Sequence, residues 1–416
     1  MSTGYSFYFD ETYHDKSITL SDNHLNILAD NLLDDYIGFF WGTRETNVDN
    51  ISDKLSAFES KYLTLFDLSD VNELKSRSFK NKQFLAGIHS FSKVMLGFYT
   101  DLFNLCNAEK MIFQLNVVSK MEILVRRLFP DRNWFVQNGF IYDSFVYSFS
   151  KLLVFYNHTD LIAELCNLHL AAEEDRINII KQTIAKVITA GENVARKERE
   201  VQIFKQLLVV LNRPGLTVSP VSSQDWVYFV NYDGLCNLLK EISINPRRVS
   251  VYIDDEDHTV AAAEGYTFKH VEGLSSTENI CIRLADWLAG FVGKMVWSIV
   301  HDPQIAEEKI TDINNIKTSE FSRKRMLSPS WFILNEAKFT CYKAAATCYV
   351  RRQPHRWALL HCAYADHIIE FFTLLRYIDR YDYSSYSSIS PEDHRNRYTA
   401  MCIRELEAYY KSCLTS

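Results

Sequence analysis

The sequence predicts an α/β fold in which a mixed β-sheet is flanked by helices. Strand-like runs alternate with amphipathic helical segments over residues 1–120, and strand character returns at Arg248–Asp254. Between these regions lies a long stretch with helical periodicity, and the end of the chain is helical again. We therefore expect one sheet built from two separated parts of the chain, with a large helical insertion and a helical C-terminal extension.

Composition excludes several other classes of protein. At 416 residues, 47% of them hydrophobic and 14% aromatic, the chain is long enough for two or three well-packed domains. The formal charge of −7 argues against attraction of nucleic acid to the whole surface, but it is compatible with a local basic groove. Nine scattered cysteines without a CxxC pair indicate reduced thiols in a cytoplasmic protein and no zinc site. We expect no signal peptide and no segment that spans a membrane.

The first strand is predicted at Tyr5–Phe9, and it runs directly into two acids, Asp10 and Glu11. Aromatic residues occur on both sides of this run, which indicates a strand covered on both faces. Because side chains alternate along a strand, Ser6 and Tyr8 share one face with Asp10. The local pattern alone favours a turn role for the acid over a role in an active site.

The same pattern recurs far along the chain in Val249–His258, VSVYIDDEDH. Here Ser250 and Tyr252 share a face with Asp254, so that Ser-x-Tyr-x-Asp appears twice. If the two strands lie side by side, Asp10 and Asp254 meet at one edge of the sheet. Two carboxylates at such a distance repel each other unless a cation or a proton lies between them. Oxygen ligands of this kind suit Mg²⁺ or Mn²⁺.

The remaining elements follow from hydrophobic periodicity. A polar stretch, Asp70–Asn81, holds Glu73 and Lys75. In the core we expect strands at Tyr36–Gly42, Met111–Ser119 and Tyr266–Glu272 and helices at Ser52–Thr64 and Phe84–Cys106. In the insertion we expect helices at Phe140–Asn157, Thr159–Leu170, Glu173–Ala190, Asn193–Leu211 and Asp225–Ser243. In the C-terminal extension we expect helices at Ser328–Val350, His355–Tyr381 and Pro391–Leu414.

A further helix is predicted at Ser275–Ser298, and it is apolar over most of its circumference, which indicates a buried helix. Asp286 lies within it, and a lone buried carboxylate is costly. Gly290 and Gly293 leave room for another backbone or a ligand near the same face. A structural salt bridge between Asp286 and an arginine such as Arg283 is an equally open interpretation.

Three motifs carry a resemblance to a known family: Phe9–Thr12 (FDET), Glu73–Lys75 (ELK) and Ala285–Gly290 (ADWLAG). With these motifs in this order, the chain resembles the prokaryotic family called domain of unknown function 3800, although Arg283 stands where the family usually has glutamine. The resemblance covers about residues 5–120 and 246–300.

The resemblance implies an RNase H-like fold, a mixed sheet flanked by helices, and a metal-dependent nuclease site. Asp10, Glu73, Asp254 and Asp286 would form an acidic quartet that binds Mg²⁺ or Mn²⁺, with Glu11 and Asp255 as alternate ligands. Lys75 would contact a phosphate of the substrate or, more simply, pair with Glu73. The partner would be nucleic acid, either DNA or RNA, and members of the family often occur near mobile elements and defence genes. The predicted parts are a core at 1–120 and 246–300, an insertion at 121–245 and an extension at 301–416.

Two other functions remain open. Arg356–His361 (RWALLH) has the Arg-x4-His spacing that resembles the HEPN ribonucleases, whose cleavage needs no metal. Alternatively, the chain is an inactive or regulatory scaffold that binds a protein partner, or a second copy of itself, through its helical regions.

Overall fold

The computed structural model describes residues 4–13, 20–21, 24–25, 35–68, 70–155, 173–192, 197–220, 230–302, 326–351, 357–360 and 362–414. The fold is mixed α/β, as the sequence predicts. Its strands are β1 (Tyr5–Thr12), β2 (Leu20–Ser21), β3 (His24–Leu25), β4 (Asp35–Arg44), β5 (Leu85–Ile88), β6 (Ile112–Ser119), β7 (Val249–Asp254), β8 (His270–Leu274) and β9 (Trp357–Leu360).

Six of these strands form one sheet in the order β8-β7-β1-β4-β6-β9. Strand β4 is antiparallel to both of its neighbours, β1 and β6. The other neighbours in the sheet run parallel to each other. Parallel neighbours need long connections, and helical segments of the chain supply them.

Strands β1 and β7 lie side by side, which confirms that the segments near residues 5–10 and 248–254 belong to one sheet. Their register pairs Ser6 with Ser250 and Tyr8 with Tyr252. The repeated Ser-x-Tyr-x-Asp pattern is therefore aligned residue by residue across the two strands.

Helices lie between and after the strands in the described ranges. They are α1 (Val48–Leu65), α2 (Lys93–Ala108), α3 (Lys120–Leu128), α4 (Arg132–Gln137), α5 (Tyr142–Phe155), α6 (Glu173–Gly191), α7 (Glu198–Leu211), α8 (Val230–Glu241), α9 (Asp257–Glu264), α10 (Ile280–Val300), α11 (Glu336–Ala346), α12 (Asp366–Asp379), α13 (Tyr383–Ser387) and α14 (Pro391–Leu414). Among the described helices, none is long and apolar enough to cross a membrane.

The sheet is covered on both faces, as aromatic residues on both sides of β1 predict. Tyr8 belongs to the core that includes α1, α2, α10, α11 and α12. Phe7 and Phe9 point to the other face and pack in a core with residues of α8 and α9. Residues of α3 to α7 form a separate hydrophobic core of their own.

Three predicted helices are wrong in part. Within Phe84–Cys106, the residues Leu85–Ile88 form β5. Helix α2 starts only at Lys93, where the Ser92 hydroxyl caps it by accepting a hydrogen bond from Met95 N (3.3 Å). The break falls at Gly87, whose φ is +57° and whose missing Cβ would collide with Trp331 and Tyr342.

Residues His355–Tyr381 also do not form one helix, because Trp357–Leu360 pairs with β6 as β9. A short apolar run such as WALL fits the hydrophobic period of a helix as well as that of a strand. Pairing with the edge of β6 stabilises the strand. In Ser328–Val350 the α-helix starts only at Glu336, after a 3₁₀ turn at Pro329–Phe332. The predicted helix Thr159–Leu170 lies outside the described residues.

A buried ion pair joins the C-terminal helices to the sheet. Asp35, at the start of β4, is fully buried and contacts Nε2 of His367 in α12. Burial by itself lowers the pKa of His367. The charge and hydrogen bond of Asp35, together with the charges of Glu370 and Asp366, outweigh burial and raise this pKa above 6.5. The folded state therefore binds this proton more tightly than the unfolded state does.

Replacing His367 with Gln is expected to lower the free energy of unfolding by about 3 kcal/mol below pH 6.5, because it strands a buried carboxylate. The stabilisation by protonated His367 is complete below its unfolded pKa and is lost as pH rises through the raised folded pKa. As pH rises from below 6.5 through the raised pKa of His367, the free energy of unfolding of wild type should decrease, and that of the variant should decrease less. Urea unfolding at a series of pH values measures this difference. His270→Gln, which removes an exposed pair with Glu272, is the control and should change little.

Candidate active site at the carboxyl ends of two parallel strands

Asp10 and Asp254 lie at the carboxyl ends of adjacent parallel strands, β1 and β7. Phe9 pairs with Ile253 at the end of the two strands, and the same register sets the next residue of each strand, Asp10 and Asp254, side by side. The ring of Tyr8 stacks on Tyr252 at 5.1 Å between ring centroids and on Trp41 at 4.8 Å. Because this ladder of rings crosses three strands, it holds the ends of β1 and β7 in register.

Helix α10 brings the third aspartate to the same edge. Asp286 Oδ2 accepts a hydrogen bond from Ser76 N at 2.7 Å, and its Oδ1 accepts one from the Ser76 hydroxyl. Burial raises the pKa of Asp286, whereas the bonds from Ser76 and the charges of Lys294 and Lys75 act to lower it. The acid in the buried helix is thus held by the loop that follows the Glu-Leu-Lys motif.

The three aspartates are close enough to act on one another electrostatically. Burial raises the pKa of Asp10 well above its ordinary value, and the charges of Asp286 and Asp254 raise it further. The hydrogen bond from Glu11 N to Asp10 Oδ1 (2.7 Å) acts in the opposite direction. The structure therefore brings together three acids from three separate segments of the chain.

Glu73 and Lys75 are linked to these acids through Ser276. Lys75 Nζ lies 3.3 Å from Glu73 Oε1 and donates a hydrogen bond to the Ser276 hydroxyl at 2.9 Å. Ser276 N in turn donates to Asp254 Oδ1 at 3.2 Å. Within the described part of the chain, the buried Glu73 Oε2 has no hydrogen-bond partner. Lys75 is thus both the partner of Glu73 and a donor at the rim of the site.

The alternate acids point elsewhere. The charge of Glu11 acts on Tyr36 and Tyr232, which belong to the core on the opposite face of the sheet. Asp255 is exposed and lies beside Gly273 in β8. This placement agrees with the alternation of side chains along β1 and β7.

Arg283 is not the partner of Asp286, and no described arginine forms an ion pair with this carboxylate, so the salt-bridge interpretation is wrong. Its guanidinium lies 2.8 Å from Glu59 Oε2 of α1 and also donates to Ser276 O. Glu59 Oε1 accepts a hydrogen bond from Leu74 N at 2.9 Å. The arginine thus supports the backbone on both sides of the site and leaves Asp286 to Ser76.

Lys294 is a site residue that sequence reasoning missed. It lies about two turns beyond Asp286 on α10 and is only 6% exposed. Burial lowers its pKa to about 8; the charge of Asp286 acts to raise this value and that of Lys80 to lower it. The available signal was a lysine inside the apolar run GFVGKMVWS, since lysine is rarely buried without a charged partner.

Close packing of α10 depends on two glycines, which the sequence predicts to leave room near Asp286. A Cβ at Gly290 would collide with the side chain of Ser76, and one at Gly293 would collide with Thr12 and Tyr13. The room at Gly290 is therefore filled by the residue that holds Asp286.

Gly290→Ala is expected to destabilise the protein by about 1–3 kcal/mol, because the new methyl group must displace Ser76 or move the helix. Thermal unfolding measures the loss. Gly97→Ala in α2, where the nearest atom is the Tyr62 hydroxyl at 3.2 Å, is the matched control. The control should lose less or gain stability, because alanine favours helix by about 1 kcal/mol. Equal stability of the two variants would contradict the tight contact at Gly290.

The carboxylate oxygens of these acids are ligands of the kind that a divalent cation prefers, but the side chains are not oriented to bind one ion together. Across the described ranges, no group of three or more His, Cys, Asp or Glu side chains is arranged to hold a metal ion. Each aspartate is turned to a backbone N–H instead: Asp10 to Glu11, Asp254 to Asp255 and Ser276, and Asp286 to Ser76. The donors are nevertheless all oxygen, and their mutual repulsion is what a cation would relieve. Rotation of these side chains would be needed for joint ligation.

Comparison of the chain with protein-family models, with curated proteins and with solved structures found no match, so its function has to be inferred from the chemistry of this site.

Proposed function

We propose that the chain is a Mg²⁺- or Mn²⁺-dependent phosphodiesterase that cleaves nucleic acid, built on an RNase H-like core. The observation that carries this proposal is the placement of Asp10 and Asp254 at the adjacent carboxyl ends of β1 and β7, with Asp286 of α10 near enough for the three charges to act on one another. Perturbed carboxylates that cluster at one edge of a sheet are typical of functional sites. The strand order β6-β4-β1-β7-β8, with only β4 reversed, supports an RNase H-like core.

The residues take distinct roles under this proposal. Asp10, Asp254 and Asp286, with Glu73 at the rim, would hold the metal. A bound divalent ion supplies Lewis-acid activation of water and neutralises charge on the phosphate. Ser76 positions Asp286 by its two hydrogen bonds, and Ser276 positions Asp254.

Two lysines supply positive charge beside the acids. Lys75 Nζ, held at the rim by Ser276, can donate to a phosphate oxygen. The positive charge of the buried Lys294 offsets part of the negative charge of Asp286. Both therefore reduce the repulsion that an anionic substrate meets on approach to three carboxylates.

A partner-binding scaffold is the second candidate, and the separate hydrophobic core of α3 to α7 favours it, since such a unit can present a surface of its own. The HEPN-like alternative has less support. Its motif needs a helix, whereas Trp357–Leu360 forms strand β9. Arg356 and His361 themselves lie outside the described residues.

The direct test is cleavage by the purified chain of labelled single-stranded DNA, duplex DNA, single-stranded RNA and an RNA–DNA hybrid. Each substrate is incubated with Mg²⁺, with Mn²⁺ or with a chelator. We expect cleavage of at least one substrate with metal and none with the chelator. Metal-independent cleavage would favour the HEPN-like alternative, and no cleavage under any condition would favour the scaffold.

A further inference from the structure

The loop that carries Lys75 has a charge opposite to that of the chain as a whole. Residues 75–82 read KSRSFKNK, and all charged residues in this segment, hereafter the basic loop, are basic. The whole chain, with this loop included, has a formal net charge of −7. A local positive patch is therefore placed directly beside the acidic site.

Buried contacts hold the backbone of the basic loop in place. Trp287 Nε1 donates to Leu74 O at 2.5 Å immediately before the loop, and Ser76 is held by Asp286. The ring of buried Phe79 packs against Phe66, with 5.3 Å between ring centroids. The basic residues alternate with these anchors. The backbone of the basic residues is therefore held in place before any ligand binds.

Three cations of the basic loop are free to bind an external anion. Arg77, Lys80 and Lys82 are exposed, and none of them forms an ion pair with a described carboxylate. Other surface lysines do so: Lys54 pairs with Glu109, for example, at 2.6 Å. A phosphate that binds Arg77, Lys80 or Lys82 has no internal ion pair to displace.

The basic loop also lies close to the site in space. The charge of Lys80 acts on Lys294, which is buried beside Asp286. The Ser76 backbone N–H within the loop bonds directly to Asp286. Anions bound by the exposed cations would therefore flank the three carboxylates.

We propose that Arg77, Lys80 and Lys82 bind the sugar-phosphate backbone of a nucleic acid strand and place one of its phosphates at the acidic site. This inference rests on the proposed function and adds the surface by which the substrate is held. Side-chain contacts to phosphates position a strand without reading its bases. Binding should therefore depend strongly on salt and little on sequence.

The test is a triple variant, R77Q/K80Q/K82Q, compared with a control of equal charge change, K186Q/R213Q/K240Q. The control residues are exposed cations of α6, α8 and the turn after α7. Anisotropy of labelled oligonucleotides, with a chelator present so that no cleavage occurs, gives affinity over a series of salt concentrations. The slope of log K against log salt is negative, and its magnitude should decrease by about 2–3 in the triple variant. The reason is that each lost phosphate contact removes roughly 0.7–0.9 from this magnitude. The control should keep the slope of wild type.

The outcomes separate this inference from the proposed function. Equal affinity and slope in the triple variant and the control would overturn the role of the basic loop, even if wild type cleaves nucleic acid. Binding with the expected loss of slope would support the loop even if no metal produces cleavage. Failure of wild type to bind any oligonucleotide would overturn the inference as well. Parallel single-stranded, duplex, DNA and RNA probes show which backbone is held, and unchanged melting temperatures show that the variants fold.

Discussion

Asp10→Asn is expected to reduce metal-dependent cleavage by on the order of a thousandfold or more, because metal ions supply several kcal/mol of transition-state stabilisation. Asp10 is the acid on which both Asp254 and Asp286 act, so its charge is central to any shared cation. The same substitution should leave the metal-free protein as stable as wild type or more stable. The reason is that one buried, repelled charge is gone while the side chain keeps its shape. Single-turnover cleavage and urea unfolding in a chelator measure the two effects.

The control for Asp10→Asn is Asp257→Asn, which removes an exposed acid at the start of α9. Its cleavage rate should stay within a few-fold of wild type. If Glu11→Gln abolishes cleavage and Asp10→Asn does not, the metal site lies on the opposite face of the sheet. In that case the assignment of Asp10 is wrong.

Asp286→Asn is expected to remove most of the stabilisation that Mn²⁺ gives to the folded protein. A ligand at a hundred times its Kd stabilises by about 2.7 kcal/mol. Loss of one carboxylate, if it weakens metal affinity tenfold to a hundredfold, would cut this value by about half or more. Asparagine can keep both contacts with Ser76, because its Oδ1 accepts from the backbone N–H and its Nδ2 can donate to the hydroxyl. Melting temperature with and without Mn²⁺ gives the shift.

Asp302→Asn is the matched control, since Asp302 is also buried and accepts hydrogen bonds from Ser328 N (3.1 Å) and Trp331 Nε1 (2.7 Å). This variant should be less stable than wild type in the absence of metal, yet it should show the full Mn²⁺ shift. The scaffold hypothesis predicts a different result for Asp286→Asn. It predicts lower stability without metal, because Lys294 loses a charged neighbour, and an unchanged response to Mn²⁺.

Periodicity in the sequence was enough to predict the layout of the core. Aromatic residues on both sides of Tyr5–Phe9 predicted a strand covered on both faces, and the repeated Ser-x-Tyr-x-Asp pattern predicted that β1 and β7 belong to one sheet. The apolar circumference of Ser275–Ser298 predicted a buried helix around Asp286, with room at Gly290. These features follow from the sequence because a hydrophobic period reports directly which faces of a segment are buried.

The partners of the buried charges were decided only by the tertiary structure. Arg283 meets Glu59 and not Asp286, Ser76 meets Asp286, and His367 meets Asp35. Each of these pairs joins segments that are far apart in the chain, and no local pattern specifies which of several possible partners is reached.

Strand β9 illustrates the same limit for secondary structure. The run WALL is apolar in either conformation, so its own residues do not separate helix from strand. Backbone hydrogen bonding to the edge of β6, which belongs to the first part of the chain, selects the strand. The sequence determined which segments are buried. The tertiary structure decided what each buried group meets, because that choice depends on how distant segments pack together.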